Sequence, residues 1–102
     1  MNENFGTVLN GGVAWICDPN TGQLLRSLGS CGAVAVTHNS STVVVAYANG
    51  NISLYTPTGD YMRSFIAPGV TSISMTGDNI LISTRENKSY IVGLYGNLIR
   101  SF

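Results

Sequence analysis

The stretch Gly59-Asp60-Tyr61-Met62-Arg63-Ser64-Phe65 is one of three related copies in this chain. Its end, Arg63-Ser64-Phe65, has an earlier counterpart in Arg26-Ser27-Leu28 and a later one in Arg100-Ser101-Phe102, each 37 residues away. The glycine that opens it keeps the same interval, at Gly22, Gly59 and Gly96. A fixed period of this size marks stacked supersecondary units, because one such unit cannot bury its apolar surface alone. Residues 29–65 overlie 66–102 without a gap. Gly32 falls on Gly69, Val43-Val44-Val45 on Ile80-Leu81-Ile82, Leu54 on Ile91, and Tyr61-Met62 on Leu98-Ile99. The match continues back into a shortened first unit, 1–28.

Within the middle unit, turn residues divide four short segments of strand character. The expected strands are about Ala33–Thr37, Thr42–Ala48, Asn51–Tyr55 and Asp60–Phe65. Asn49-Gly50 reads as a tight hairpin with positive φ at both central residues, and Thr56-Pro57-Thr58-Gly59 as a Pro/Gly turn. The third unit repeats the plan, with hairpin turns at Met75–Asn79 and Arg85–Lys88. In the first unit, Phe5–Leu9, Val13–Cys17 and Gln23–Leu28 match the second, third and fourth strands, with Gly11-Gly12 as a hairpin turn. The few residues before Phe5 are too short for a first strand and its turn. No segment carries helical periodicity, so the chain is expected to be all-β.

Val43-Val44-Val45 and Ile80-Leu81-Ile82 are apolar without alternation, which predicts burial on both faces of that strand. A two-layer sandwich would alternate apolar with polar residues. Burial on both faces suits a small sheet pressed between two like sheets, the blade of a β-propeller. The expectation is a propeller fragment of four-stranded antiparallel blades, about 2.75 per chain. It divides into a partial blade at 1–28 and full blades at 29–65 and 66–102.

Two segments carry a family resemblance. Tyr47-Ala48-Asn49-Gly50-Asn51-Ile52-Ser53-Leu54-Tyr55 resembles the Ser-x-Asp-Gly-x-Ile-x-Leu-Trp segment of WD40 repeats. Trp15-Ile16-Cys17-Asp18-Pro19-Asn20-Thr21-Gly22 is similar to their Trp-Asp-x-x-Thr-Gly ending. The Gly-His pair before the first strand is replaced by Gly29-Ser30 and Ile66-Ala67, and the Trp-Asp pair by Leu54-Tyr55 and Ile91-Val92. The buried Asp–His–Ser/Thr–Trp network of that family therefore cannot form. NHL-type and quinoprotein-type propeller repeats resemble the chain equally well. What the resemblance implies is the propeller architecture.

Composition narrows the function. Charged residues are 10% of the chain, hydrophobic residues 44%, and the formal net charge is zero. Arg26, Arg63, Arg85, Lys88 and Arg100 are scattered, which removes the basic footprint of a nucleic-acid partner. No apolar run reaches the roughly 18 residues of a membrane span, and the N-terminus has no basic leader. A soluble, cytoplasmic protein is expected. Cys17 and Cys31 are expected as free thiols, and with a single histidine, His38, they make no zinc site. No metal or other cofactor is expected. Asp18, Asp60, Asp78 and Glu86 fall at turns or strand ends, and His38 has no acidic partner in sequence. The chain is therefore expected not to be an enzyme.

Propellers close with about four to eight blades, and this chain encodes fewer than three. The outer faces of its first and last blades would carry several hundred Å² of apolar surface each, more than soluble monomers commonly expose. Covering each is worth on the order of 10 kcal/mol at about 25 cal/mol per Å². Assembly is thus expected, either with itself, a six-bladed dimer being favoured, or with a second propeller chain that supplies the missing blades. The gap left by the absent first strand could be tolerated or filled by the N-terminal tail. The expected role is binding or scaffolding, with a glycan or protein ligand, and lectin-like carbohydrate binding as the alternative. Candidate binding residues are Asn49, Asn51, Arg85, Glu86 and Lys88, on the loops where propeller ligands gather. The recurring Arg26, Arg63 and Arg100 are expected as cations that discourage strand pairing at the outer edge. Trp15, over Ile52 in the repeat, is expected to pack between blades.

Overall fold

The structure, a computed structural model, describes residues 5–29 and 31–102. A first sheet holds β1 (Gly6–Asn10), β2 (Val13–Cys17) and β3 (Leu24–Leu28). A second holds β4 (Ala33–His38), β5 (Val43–Tyr47), β6 (Asn51–Tyr55) and β7 (Tyr61–Ile66). The third holds β8 (Val70–Thr76), β9 (Asn79–Thr84), β10 (Ser89–Val92) and β11 (Leu98–Ser101). All strand pairs are antiparallel and follow chain order. These are the three expected blades, with strand ends shifted by a residue in places. Residues 1–4, the tail named as one of two ways to meet the missing strand, lie outside the described residues.

The core lies in the seams between sheets. Strand β5 is buried at every position, and Val43 to Ala46 are fully shielded from solvent. Side chains alternate across a strand, so Val44 and Ala46 join Ile52 and Leu54 against Ile80, Ile82 and Val92 of the third sheet. Val43, Val45 and Tyr47 join Tyr55 against Ala14, Ile16 and Leu28 of the first. Each such aliphatic side chain contributes roughly 1.5–3 kcal/mol through burial. The equivalent strand β9 behaves differently. Ile80 and Ile82 are fully buried, whereas Leu81 between them is only half-buried. Its sequence is as apolar as that of β5, but only one of its faces is covered.

The recurring glycine has a backbone cause. Gly59 and Gly96 have φ of 98° and 82°, a region that disfavours any β-carbon. Their N–H groups close turns onto the carbonyls of Thr56 (2.9 Å) and Gly93 (3.0 Å). Gly22, with φ 77°, closes a turn one residue longer onto the carbonyl of Asp18, at 2.8 Å.

Two further expectations are corrected. Asn49-Gly50 is not a two-residue hairpin, because only Gly50 has positive φ. The Gly50 N–H donates to the Tyr47 carbonyl at 2.9 Å, so Ala48-Asn49-Gly50 form a three-residue loop ending in a left-handed glycine. Asn87, with φ 61°, takes the same place in the third sheet. The first sheet does use a two-residue turn, with Gly11 and Gly12 both at positive φ between the paired Asn10 and Val13.

The shorter turn slips β2 by one residue against the repeat. Thr7 pairs with Ile16 where Val44 pairs with Leu54. Trp15 therefore takes the place of Ser53 rather than Ile52. It pairs with Val8 on the outward face of the first sheet, half-exposed, and does not pack between the first and second blades as expected. The longer Asp18–Gly22 turn restores the register, so Arg26 pairs with Ile16 as Arg63 pairs with Leu54.

Candidate functional site

Both seams open into cavities. Where the chain passes from the first sheet to the second lies one of about 370 Å³, lined by Cys31, Tyr47, Asn49, Asn51, Ser53 and Tyr55 among others. Strand β5 and strand β6 bring the two tyrosines together, because Val43 pairs with Tyr55 while Tyr47 ends β5 on the same face. Their hydroxyls are 3.4 Å apart, and the Tyr47 hydroxyl donates to the Leu28 carbonyl at 3.5 Å. Burial, reinforced by the hydroxyl of Tyr55, pushes the Tyr47 pKa well above the ordinary tyrosine value. Tyr47 is therefore a neutral hydroxyl at physiological pH. The cavity offers hydroxyls, amides and the exposed thiol of Cys31, a set suited to hydrogen-bonding an uncharged polar ligand.

Asn49 and Asn51 both reach this cavity. They also shape the hairpin: Asn49 Oδ1 accepts from the Asn51 N–H at 2.9 Å, and Asn51 Nδ2 donates to Ser53 Oγ at 3.3 Å. Arg85, Glu86 and Lys88 instead occupy the exposed tip of the β9–β10 hairpin. The Arg85 N–H is tied to the Gly69 carbonyl (2.9 Å), and the Lys88 carbonyl accepts from the Thr84 N–H (3.0 Å). The cavity of about 330 Å³ in the second seam is lined by Phe65, Ile82, Tyr90, Val92 and Leu98, and does not include them. Sequence reading missed Tyr47, Ser53 and Tyr55. The available signal was the pair of tyrosines flanking the asparagine-rich loop, but their shared face depends on the pairing register.

The recurring arginines make contacts that the expectation did not include. On the edge strands where they were expected, Arg26 and Arg63 each also reach across to the outer turn of the next sheet. Arg63 donates to the Leu94 carbonyl at 3.3 Å and stacks 4.0 Å above the Tyr95 ring. Arg26 runs over Gly59, where a β-carbon would come within 2.6 Å of its Cδ, and ends 3.7 Å from the largely exposed Asp60 carboxylate. Arg100 lies 5.5 Å from the ring of Phe102.

The titratable groups are dispersed. The Asp18 carboxylate accepts from the Asn20 N–H at 2.8 Å, and Thr58 Oγ1 donates to Asp60 at 3.2 Å. His38 Nδ1 lies 2.8 Å from Thr7 Oγ1, and its ring is 4.7 Å from that of Phe5. Cys17 is buried, and both thiols are free. Among the described residues, no three His, Cys, Asp or Glu side chains gather as metal ligands, and no helix is long and apolar enough to cross a membrane.

No protein-family model matches the chain, and no curated protein sequence matches it. Solved structures do. The chain is similar to BamB from Moraxella catarrhalis, a β-propeller, at 15% identity and TM-score 0.78, covering all of this chain and 32% of that one. It is similar to the computationally designed protein Ika8 at 18% identity and TM-score 0.79, covering all of this chain and 34% of that one. For the designed protein Ika4 the values are 19%, 0.71, 91% and 62%. The chain thus spans about a third of the first of these structures. At such identities the likeness shows the fold, a partial β-propeller.

Proposed function

We propose that this chain is a non-enzymatic β-propeller module whose two outward faces are covered by a second copy, giving a six-bladed ring that serves as a binding or scaffold unit. The observation that carries this reading is the contrast between Val44 and Leu81. Val44 and Leu54 of the second sheet are fully buried under the third, whereas their counterparts Leu81 and Ile91 remain half-exposed. Open blade faces of this kind associate, because covering them removes apolar surface from water. Dispersed, turn-bound carboxylates support a role without acid–base chemistry.

Sedimentation velocity at micromolar concentration tests the ring. The expected species has at least twice the chain mass of 10.8 kDa, and Leu81→Asp should return it to one chain. A folded, stable wild-type monomer would instead assign the open faces to blades on another polypeptide.

Carbohydrate binding at the blade seams is the second reading, favoured by the polar, uncharged lining around Tyr47, Asn49 and Asn51. It places the site in the first seam, since the second seam's cavity is apolar. A glycan array probed with the assembled protein should show signal that Asn51→Leu removes. A blank array would exclude this reading.

A further inference from the structure

The two internal seams share a contact that the outward faces leave half-made. Counting back from the recurring glycine, the outer turns align as Leu94-Tyr95-Gly96, Pro57-Thr58-Gly59 and Asn20-Thr21-Gly22. Two of the three glycines are roofed by the outermost strand of the preceding sheet. A β-carbon at Gly59 would meet Arg26, and one at Gly96 would meet Phe65 at 2.9 Å. At Gly22 it would meet nothing within 4 Å among the described residues. The mirror-image vacancy lies at the other end, where Arg100 and Phe102, the counterparts of Arg63 and Phe65, are exposed.

We propose that Arg100 and Phe102 of one copy clamp the Asp18–Gln23 turn of a second copy, reproducing between chains the contact that Arg63 and Phe65 make within one. This rests on the ring reading above. The occupant is a second copy because the exposed Arg100 and Phe102 and the open Asp18–Gln23 turn are complementary halves of one repeated interface. A contact of this kind is heterologous, and it closes into a ring when the rotation per chain permits. Charge supports the pairing: the receiving turn carries Asp18 and no cation, and Asn20 aligns with Leu94, whose carbonyl accepts from Arg63. The same docking would bring Leu81 and Ile91 against the outward face formed by Val8 and Trp15.

The turn lacks one part of the internal clamp. Thr21 stands where Tyr95 supplies its ring to Arg63. Thr21→Tyr should therefore strengthen the contact, lowering the dissociation constant of the oligomer about two- to fivefold, as expected for an exposed cation–π pair. Arg100→Ala should weaken association and abolish the gain from Thr21→Tyr when the two are combined. Arg63→Ala should lower the melting temperature of each chain while Thr21→Tyr keeps its effect. Dissociation constants come from sedimentation equilibrium of the full chain. A Thr21→Tyr variant that associates no more tightly, or whose gain survives Arg100→Ala, would overturn the clamp while leaving the ring intact. A wild-type chain that stays monomeric would overturn both.

Discussion

Tyr47 shows how burial becomes chemistry at a single residue. Its side chain is 8% exposed, and among the described residues its hydroxyl's contacts are long, at 3.4 and 3.5 Å. Bonds of that length contribute little, about 1 kcal/mol or less. The cavity thus holds a hydroxyl with capacity to spare for a ligand. Burial also couples stability to alkaline pH. Below the ordinary tyrosine pKa of about 10, the hydroxyl is protonated in folded and unfolded chains alike, and stability is undiminished. Above it, the unfolded chain releases the proton while the folded chain retains it, so stability falls as pH rises. Urea midpoints between pH 8 and 11 should decline for the wild type and decline less steeply for Tyr47→Phe. Equal slopes would remove Tyr47 as the titrating group.

At the level of strands and turns, the repeat was legible wherever local chemistry determined it. The 37-residue interval was carried by glycines that close the outer turns with positive φ, and Val43-Val44-Val45 announced a strand buried on both faces. Strand β6 even begins and ends where its residue types suggested, at Asn51 and Tyr55. Trp15 was misplaced because a turn type sets register without altering the apparent repeat. Gly11-Gly12 makes a loop one residue shorter than Ala48-Asn49-Gly50, and a one-residue slip sends every side chain of β2 to the opposite face. The compensating residue is hidden in the Asp18–Gly22 turn. The arginines were legible only in part, for a different reason. Their position on the outermost strand suggested an edge, but a long side chain there also reaches the neighbouring sheet, and sequence spacing carries no information about that reach. The candidate cavity was half legible: Asn49 and Asn51 advertise a polar loop, while Tyr47 and Tyr55 enter it only through the pairing of β5 with β6.

For the molecule as a whole, the slip of β2 has a useful consequence. It places Trp15, the sole tryptophan, on the outward face of the first sheet beside Val8, which is 39% exposed. In the proposed ring this face meets Leu81 and Ile91 of the other copy. A two-fold ring has two such junctions, and forming the first makes the second intramolecular, so closure should be strongly favoured over open chains. Apolar residues that look solvent-exposed on one chain are then the centre of the contact, where large aromatic side chains concentrate binding energy. Trp15 should report the event directly. Its emission should move to shorter wavelength as protein concentration rises, with a midpoint equal to the dissociation constant from sedimentation. Trp15→Ala should weaken association by about 2 kcal/mol or more, the loss expected for a buried aromatic anchor. Emission that stays constant while the mass doubles would place the junction on a different surface.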